Sequence, residues 1–494
     1  MDLKEYRRSA EAFISELTGE YYRHYAGIKE AYEIEPIYHR HQALFGVAAV
    51  QELRAELAAA PAGSEERRRR MMLLDFAVDG YIGQASKEVE AELARREASI
   101  MIDVGAEQLG FRESAVIQAN EPDASLRAEI EHARLRATAV ELNPLYRELI
   151  DRQHTIAREL GFSSYRELCA ECKGLDLARL HAQTGDFSAR TVTTYPRVLE
   201  PELCRTLGFG MRELRRSDLP RFFRAPNLDA QFPASELIPS FTATMHGLGI
   251  DPAAQPGVVL DLEPRPRKSP RAFCAPVRVP DEVYLVLSPI GGHDDFSVLF
   301  HEVGHTEHYA HVDPRLPFEF RYLGDNAITE AFAFLFQHLV ENPDWLARRL
   351  GIEDATVIAA HARAHRLVYL RRYAAKLAYE LELHSSDGSR PALADRYSEL
   401  LEQALQIRWP SESYLADVDP GFYCACYLRA WALETHLRAH LREQFGPGWF
   451  DSREAGAALR RLWREGQRLT PDELLSELTG ERLEFGVLIG DLGL

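Results

Sequence analysis

Between Asp325 and Gln337 the chain reads Asp325-Asn326-Ala327-Ile328-Thr329-Glu330-Ala331-Phe332-Ala333-Phe334-Leu335-Phe336-Gln337. As a helix, this segment is apolar on every face except at Thr329 and Glu330, and a helix apolar all round belongs inside a protein. Asp325 or Asn326 suits its N-cap. An ionised carboxylate in such surroundings needs a cation or strong hydrogen bonds. Two partners meet that need: a metal ion, or a buried arginine. The fold must therefore bring one of them to Glu330.

A metal-binding pattern lies just upstream. His301-Glu302-Val303-Gly304-His305 is HExxH, and on a helix the i and i+4 imidazoles share one face. Two such rings can hold one Zn²⁺, with the intervening glutamate placed to take a proton from water. Phe296-Ser297-Val298-Leu299-Phe300 favours a helix here, with Asp294 or Asp295 as its expected cap. A third ligand is still required. His311 has the spacing of one known arrangement, but that arrangement needs Gly at 308 and a later Met-turn. Position 308 is His, and no methionine follows Met245. Glu330 is the better third ligand. The expected metal set is thus His301, His305 and Glu330, with one Zn²⁺ per chain and Glu302 as general base. Three protein ligands leave one position for water, the mark of a catalytic site. His308 is expected to hydrogen-bond nearby, and His293 and His311 to be structural or rim residues.

The rest of the sequence excludes other classes. The formal net charge of −18 argues against a nucleic-acid partner. The basic run Arg67–Arg70 follows Ser64-Glu65-Glu66 and reads as a solvated helix face. No apolar stretch is long enough to span a membrane, and none follows the N-terminus, so the expected location is the cytoplasm. Six cysteines in 494 residues do not make a disulfide framework. The CxxC of Cys169 and Cys172 stands in a helical pattern without a second CxxC, and inert thiols are expected there.

Residues 1 to about 190 read as helices almost throughout, with three- and four-residue apolar spacing. Leu160 to Tyr165 looks like a helix end followed by a new N-cap. Prolines between 264 and 270 prevent a helix. Two strands are expected after them, Ala272–Val279 and Val283–Leu287, with a turn at Pro280-Asp281-Glu282. Helices resume at Asp294 and run to the end. The expected fold is mainly α with one small sheet beside the zinc-binding helix. The expected division is a helical N-terminal region, 1–190, and a catalytic region, 191–494.

With these motifs placed, the stretch from about 270 to 430 resembles the thimet oligopeptidase and oligoendopeptidase F family of zinc peptidases. The carrying residues are Tyr284-Leu285-Val286-Leu287, Gly291-Gly292-His293-Asp294-Asp295, Leu299-Phe300-His301-Glu302-Val303-Gly304-His305 with His308, and the following Glu330. Leu370–Ala374 through Glu382-Leu383-His384 is similar to a family helix, as is Asn143 through Gly161. The resemblance implies an elongated helical molecule with a deep channel that admits short peptides. It implies that the strand near Val283–Leu287, including Tyr284, pairs with substrate backbone. It also implies a Tyr donor for the oxyanion, for which Tyr423 and Tyr427, four residues apart, are the candidates. The usual family His position holds Asp417. Arg429, where a Tyr is usual, could clamp a substrate carboxylate.

The expected function is a zinc-dependent peptidase acting on short peptides. Its length also suits a zinc carboxypeptidase or dipeptidyl carboxypeptidase of related architecture. A catalytically altered peptide-binding relative and a helical protein with a chance HExxH complete the alternatives.

Overall fold

The computed structural model describes residues 1–385 and 392–494. The fold is mainly α, with five short strands among the described residues. No helix among them is long and apolar enough to cross a membrane. They form two compact units. One comprises Met1–Val78, Leu228–Ala359 and Arg429–Leu488; the other comprises Asp79–Asn227, Ala360–Leu428 and Ile489–Leu494. The expected boundary at 190 falls inside the helix Leu177–Thr191, within the second unit. Three long helices, Glu65–Ser99, Thr356–Leu383 and Tyr423–Phe445, run from one unit into the other. No change of composition marks those crossings.

In the first unit, the N-terminal helix Leu3–Tyr25 starts at Asp2, whose carboxylate accepts from the Lys4 amide at 2.9 Å. It lies against a three-stranded sheet of β3 (Val258–Asp261), β4 (Phe273–Arg278) and β5 (Glu282–Val286), ordered β3-β5-β4. Ala26, Phe273, Ala275 and Val286 form a small core there, with Tyr21, Tyr22 and Tyr284 packed on it. Alternation turns Cys274 to the opposite face, where its thiol meets Thr306 of the helix His293–Ala310. This motif helix therefore covers the other side of the sheet, burying Phe296, Leu299, Phe300 and Val303.

Both expected strands form, and a third, β3, which the sequence reading did not include, joins them. β3 pairs parallel to β5 and β4 pairs antiparallel to it. This corrects the place expected for substrate pairing. β5 is the middle strand: Tyr284 faces Val259 on one side and Ala275 on the other, so its backbone has no open edge. β4 is the outer strand beside the motif helix.

The run Arg67–Arg70 is not a solvated face. Arg68 binds Glu473 and the Arg468 carbonyl, and Arg70 reaches Glu66 at 3.0 Å. Glu319, fully buried, receives Arg7 at 2.5 Å and Arg69 at 3.3 Å. A buried carboxylate needs such partners, and they tie the N-terminal helix to the segment that precedes Asn326.

The second unit holds a hairpin that helical periodicity did not reveal: β1 (Met101–Val104) and β2 (Glu107–Gly110) pair antiparallel around Gly105 at φ +60°. Ile102 and Val104 alternate inward to the core with Phe111 and Ile130. The helix Asn143–Glu159 ends as expected, with Gly161 at φ +85°, and Ser164 caps the next helix. All six cysteines are free, Cys169 and Cys172 both buried.

Candidate metal centre and active site

The motif helix begins at His293 with Gly292 as its N-cap, not at Asp294 or Asp295. The cap is tertiary in origin. Asp229 accepts from the His293 amide at 3.1 Å, and Asp295 turns back to the amides of Ile290 and Gly291. Anchored this way, the helix carries His301 and His305 one turn apart, with ring centroids 4.9 Å from each other.

The helix Asn326–Gln337 packs against it. Asp325 caps this second helix, accepting from the Ala327 amide at 3.0 Å. Every residue from Ala327 to Ala333 is buried, Glu330 among them. Gly304 permits the close crossing. A Cβ there would stand 2.5 Å from Ala333 Cα and closer still to the Phe332 carbonyl oxygen. Backbone cannot yield as a side-chain tip would, so Gly304→Ala must push the two helices apart. Such overpacking costs about 2–3 kcal/mol. The expected result is a lower urea midpoint, with Glu330 carried away from the two histidines.

The crossing brings the three expected ligands together. Glu330 Oε2 lies 3.4 Å from His301 Nε2 and 3.8 Å from His305 Nε2. Ligand atoms of all three residues lie within 4.8 Å of one another. The far nitrogens are engaged elsewhere. His301 Nδ1 meets Gln337 Oε1 at 3.0 Å, and His305 Nδ1 meets Thr329 Oγ1 at 2.8 Å. Gln337 is itself oriented by donating to Ser297 Oγ at 3.0 Å. These contacts fix ring orientation and leave each Nε2 turned to Glu330, the arrangement a metal site needs. Two imidazoles and one carboxylate suit zinc. The Glu330 carboxylate faces the two rings.

Electrostatics follow from burial. Burial disfavours protonation of His301, yet the Glu330 and Glu302 carboxylates outweigh it and hold its pKa above the ordinary histidine value. Burial lowers His305 to about 4 despite Glu330. Burial also raises Glu302 above its ordinary carboxylate value. The Cys274 amide of β4 donates to Glu302 Oε2 at 2.9 Å and fixes the carboxylate at the strand's edge.

The remaining histidines behave as structural groups. His308 Nε2 meets the Gly466 carbonyl at 3.2 Å, and His311 Nδ1 meets the Glu307 carbonyl at 2.9 Å.

Arg429 is already engaged. Its guanidinium forks onto Asp325, one arm at 2.9 Å. It therefore braces the cap of the Glu330 helix, and a carboxylate clamp would require that pair to open. Tyr284 stacks on Tyr22 with centroids 3.7 Å apart and donates to Glu282 at 2.7 Å. Tyr423 and Tyr427 belong to the second unit, where they share a helix face with ring centroids 5.0 Å apart. Asp417, at the family's usual His position, binds Arg372 and accepts from Tyr397 at 2.8 Å. That makes it part of a buried ion-pair network.

The same unit contains a group that the sequence did not reveal, Glu380 with Asp419 and Cys424. A lysine already supplies the positive charge there: Lys376 Nζ lies 2.8 Å from Asp419 and 4.0 Å from Glu380.

No protein-family model matches the chain. No curated protein sequence matches it either. Among solved structures, it is similar to a Bacillus anthracis protein provisionally assigned as an oligoendopeptidase F. The TM-score is 0.69 at 16% identity, over 98% of this chain and 88% of that one. That likeness establishes the architecture: the chain has the mainly α fold of that oligoendopeptidase F structure.

Proposed function

We propose that the chain is a zinc-dependent peptidase of oligoendopeptidase type that hydrolyses short peptides. One observation carries this reading: two imidazoles held by Gln337 and Thr329 converge with buried Glu330, and Glu302 stands beside them. The assignment given to the structural neighbour supports the substrate class.

His301, His305 and Glu330 would hold the ion. Zinc bound there would supply Lewis acidity toward water and the scissile carbonyl. Glu302 takes the proton of the attacking water and returns it to the leaving amine. The Cys274 amide keeps Glu302 aimed while it does so. On the resemblance, Tyr423 or Tyr427 donates to the oxyanion. The engagement of Arg429 by Asp325 favours internal cleavage over capture of a C-terminal carboxylate.

The test is mass spectrometry of a short-peptide mixture incubated with the protein, with and without a chelator. Internal cuts that the chelator abolishes and added zinc restores are expected. Loss of residues singly or in pairs from the C-terminus would indicate a carboxypeptidase instead. A protein that carries zinc and cuts nothing would overturn the reading.

A further inference from the structure

An aromatic cluster adjoins the edge at which Glu302 sits. Phe273 immediately precedes Cys274, the residue whose amide holds Glu302. The Tyr21 ring stands edge-on to Phe273 at 5.4 Å and lies 4.5 Å from Tyr25. Tyr25 continues to Tyr32 at 5.8 Å, and Tyr32 stacks on His24 at 5.1 Å. Burial raises the Tyr21 phenol above its ordinary value.

The outer rings are open to water. Tyr25 is 38% exposed, Tyr32 39%, and Ile28 in the same turn 50%. Such exposure is unfavourable for apolar surface unless something covers it. The turn is nevertheless firmly held. Buried Glu20 accepts from Lys29 at 2.6 Å and from the Glu33 amide at 2.8 Å. The Ser269 amide donates to the Tyr25 carbonyl at 2.8 Å, and Arg265 donates to the Ala26 carbonyl at 2.8 Å. Gly27 adopts φ +72° where a Cβ would stand 2.7 Å from the Lys268 nitrogen. Rings ordered in advance lose little entropy when a ligand covers them.

The backbone beside the cluster specifies the ligand. β4 is an outer strand, and Cys274 turns its amide away from β5 toward Glu302. In an antiparallel pair the carbonyl of the same residue points the same way. It can therefore accept from an extended peptide laid along β4, and side chains alternate along such a peptide.

We propose that Tyr21, Tyr25, Tyr32 and Phe273 form a subsite that selects an aromatic or bulky aliphatic side chain of a peptide lying along β4. This rests on the peptidase reading above. It adds a specificity determinant supplied by the N-terminal helix, more than 240 residues before the HExxH motif in sequence.

The test compares kcat/KM for zinc-loaded wild type, Tyr21→Ala and Tyr25→Ser. The substrates are short peptides carrying Phe, Leu, Lys or Ser at each position around the cut. Wild type is expected to favour Phe and Leu over Ser at one fixed position by about tenfold or more. Each variant should reduce that ratio to about threefold or less, mainly through KM. Tyr25→Ser alters a more exposed ring and serves if Tyr21→Ala fails to fold, judged by circular dichroism. Folded variants that keep the wild-type ratio would overturn the subsite and leave the peptidase reading standing. So would wild type that cuts without such a preference, or that prefers Lys there. If wild type shows no chelator-sensitive cleavage, both readings fall.

Discussion

Replacing Glu302 with glutamine is expected to lower kcat/KM for peptide cleavage about a thousandfold while one zinc stays bound per chain. The two halves of this outcome have separate causes. Glutamine has the shape of glutamate and can still accept the Cys274 amide, now through its amide oxygen, so the strand edge and the helix are undisturbed. The proposed metal set of His301, His305 and Glu330 is untouched, and so are Gln337 and Thr329, which orient the rings. Affinity for the ion should therefore survive. A glutamine amide cannot take a proton from water, and a positioned general base contributes about 10²–10⁴ in rate. Glu330→Ala should behave in the opposite way, because it removes a ligand and leaves the base: zinc is lost first, and activity follows it. Metal content by mass spectrometry beside steady-state cleavage of a fluorogenic peptide separates the two variants. Full activity in Glu302→Gln would show that another group takes the proton. Joint loss of zinc and activity would show that Glu302 helps to assemble the site.

The convergence of His301, His305 and Glu330 was legible in the sequence because its signals are local. HExxH needs only helical periodicity to align two rings, and a single carboxylate in an apolar helix declares its need for a cation. The groups that orient those rings were nearly as legible. Thr329 is the other polar residue of that helix, and Gln337 lies seven positions after Glu330, on the same face. What sequence reasoning missed depends on distant partners. The motif helix takes its cap from Asp229, 64 residues from His293, so Asp294 and Asp295 had no need to cap it. β5 is the middle strand because β3, four residues long among glycines and prolines, pairs beside it. Arg429 looked available to substrate because nothing near it in sequence shows that Asp325, 104 residues away, takes its fork. The division into units was hidden because long helices carry the chain from one to the other with their pattern unbroken. Gly304 is the reverse case, a local residue whose purpose appears only when the Phe332–Ala333 backbone is seen against it.

Acidification from pH 7 to pH 5 is expected to destabilise the fold, and one buried histidine pair contributes to that loss. His154 Nε2 lies 2.9 Å from His384 Nδ1, and both rings are buried. Tyr165 and Phe422 pack on His384 at centroid distances of 4.8 and 5.3 Å. One ring must donate and the other accept, which two neutral rings in matching tautomers satisfy. Burial, with Arg158 adding to it, lowers His154 from 6.5 to about 4; burial, with His154 adding to it, places His384 well below the ordinary value. The sign follows. Below about pH 6.5 the unfolded chain takes up protons that the folded pair refuses, so stability is complete above that pH and falls as pH drops toward the folded values. At pH 5 His154 forfeits about 2 kcal/mol, and His384 shifts stability in the same direction. His305, His308 and His311 are also lowered, chiefly by burial, so the pair must be isolated by difference. His384→Gln keeps a side chain able to hydrogen-bond and removes one titrating group and its repulsion of the other. Urea midpoints at pH 7, 6 and 5 should therefore converge: the variant is less stable than wild type at pH 7, and its deficit shrinks as the pH falls to 5. A deficit independent of pH would mean that His384 takes up its proton as readily in the folded protein as in the unfolded chain, and would overturn the lowered pair.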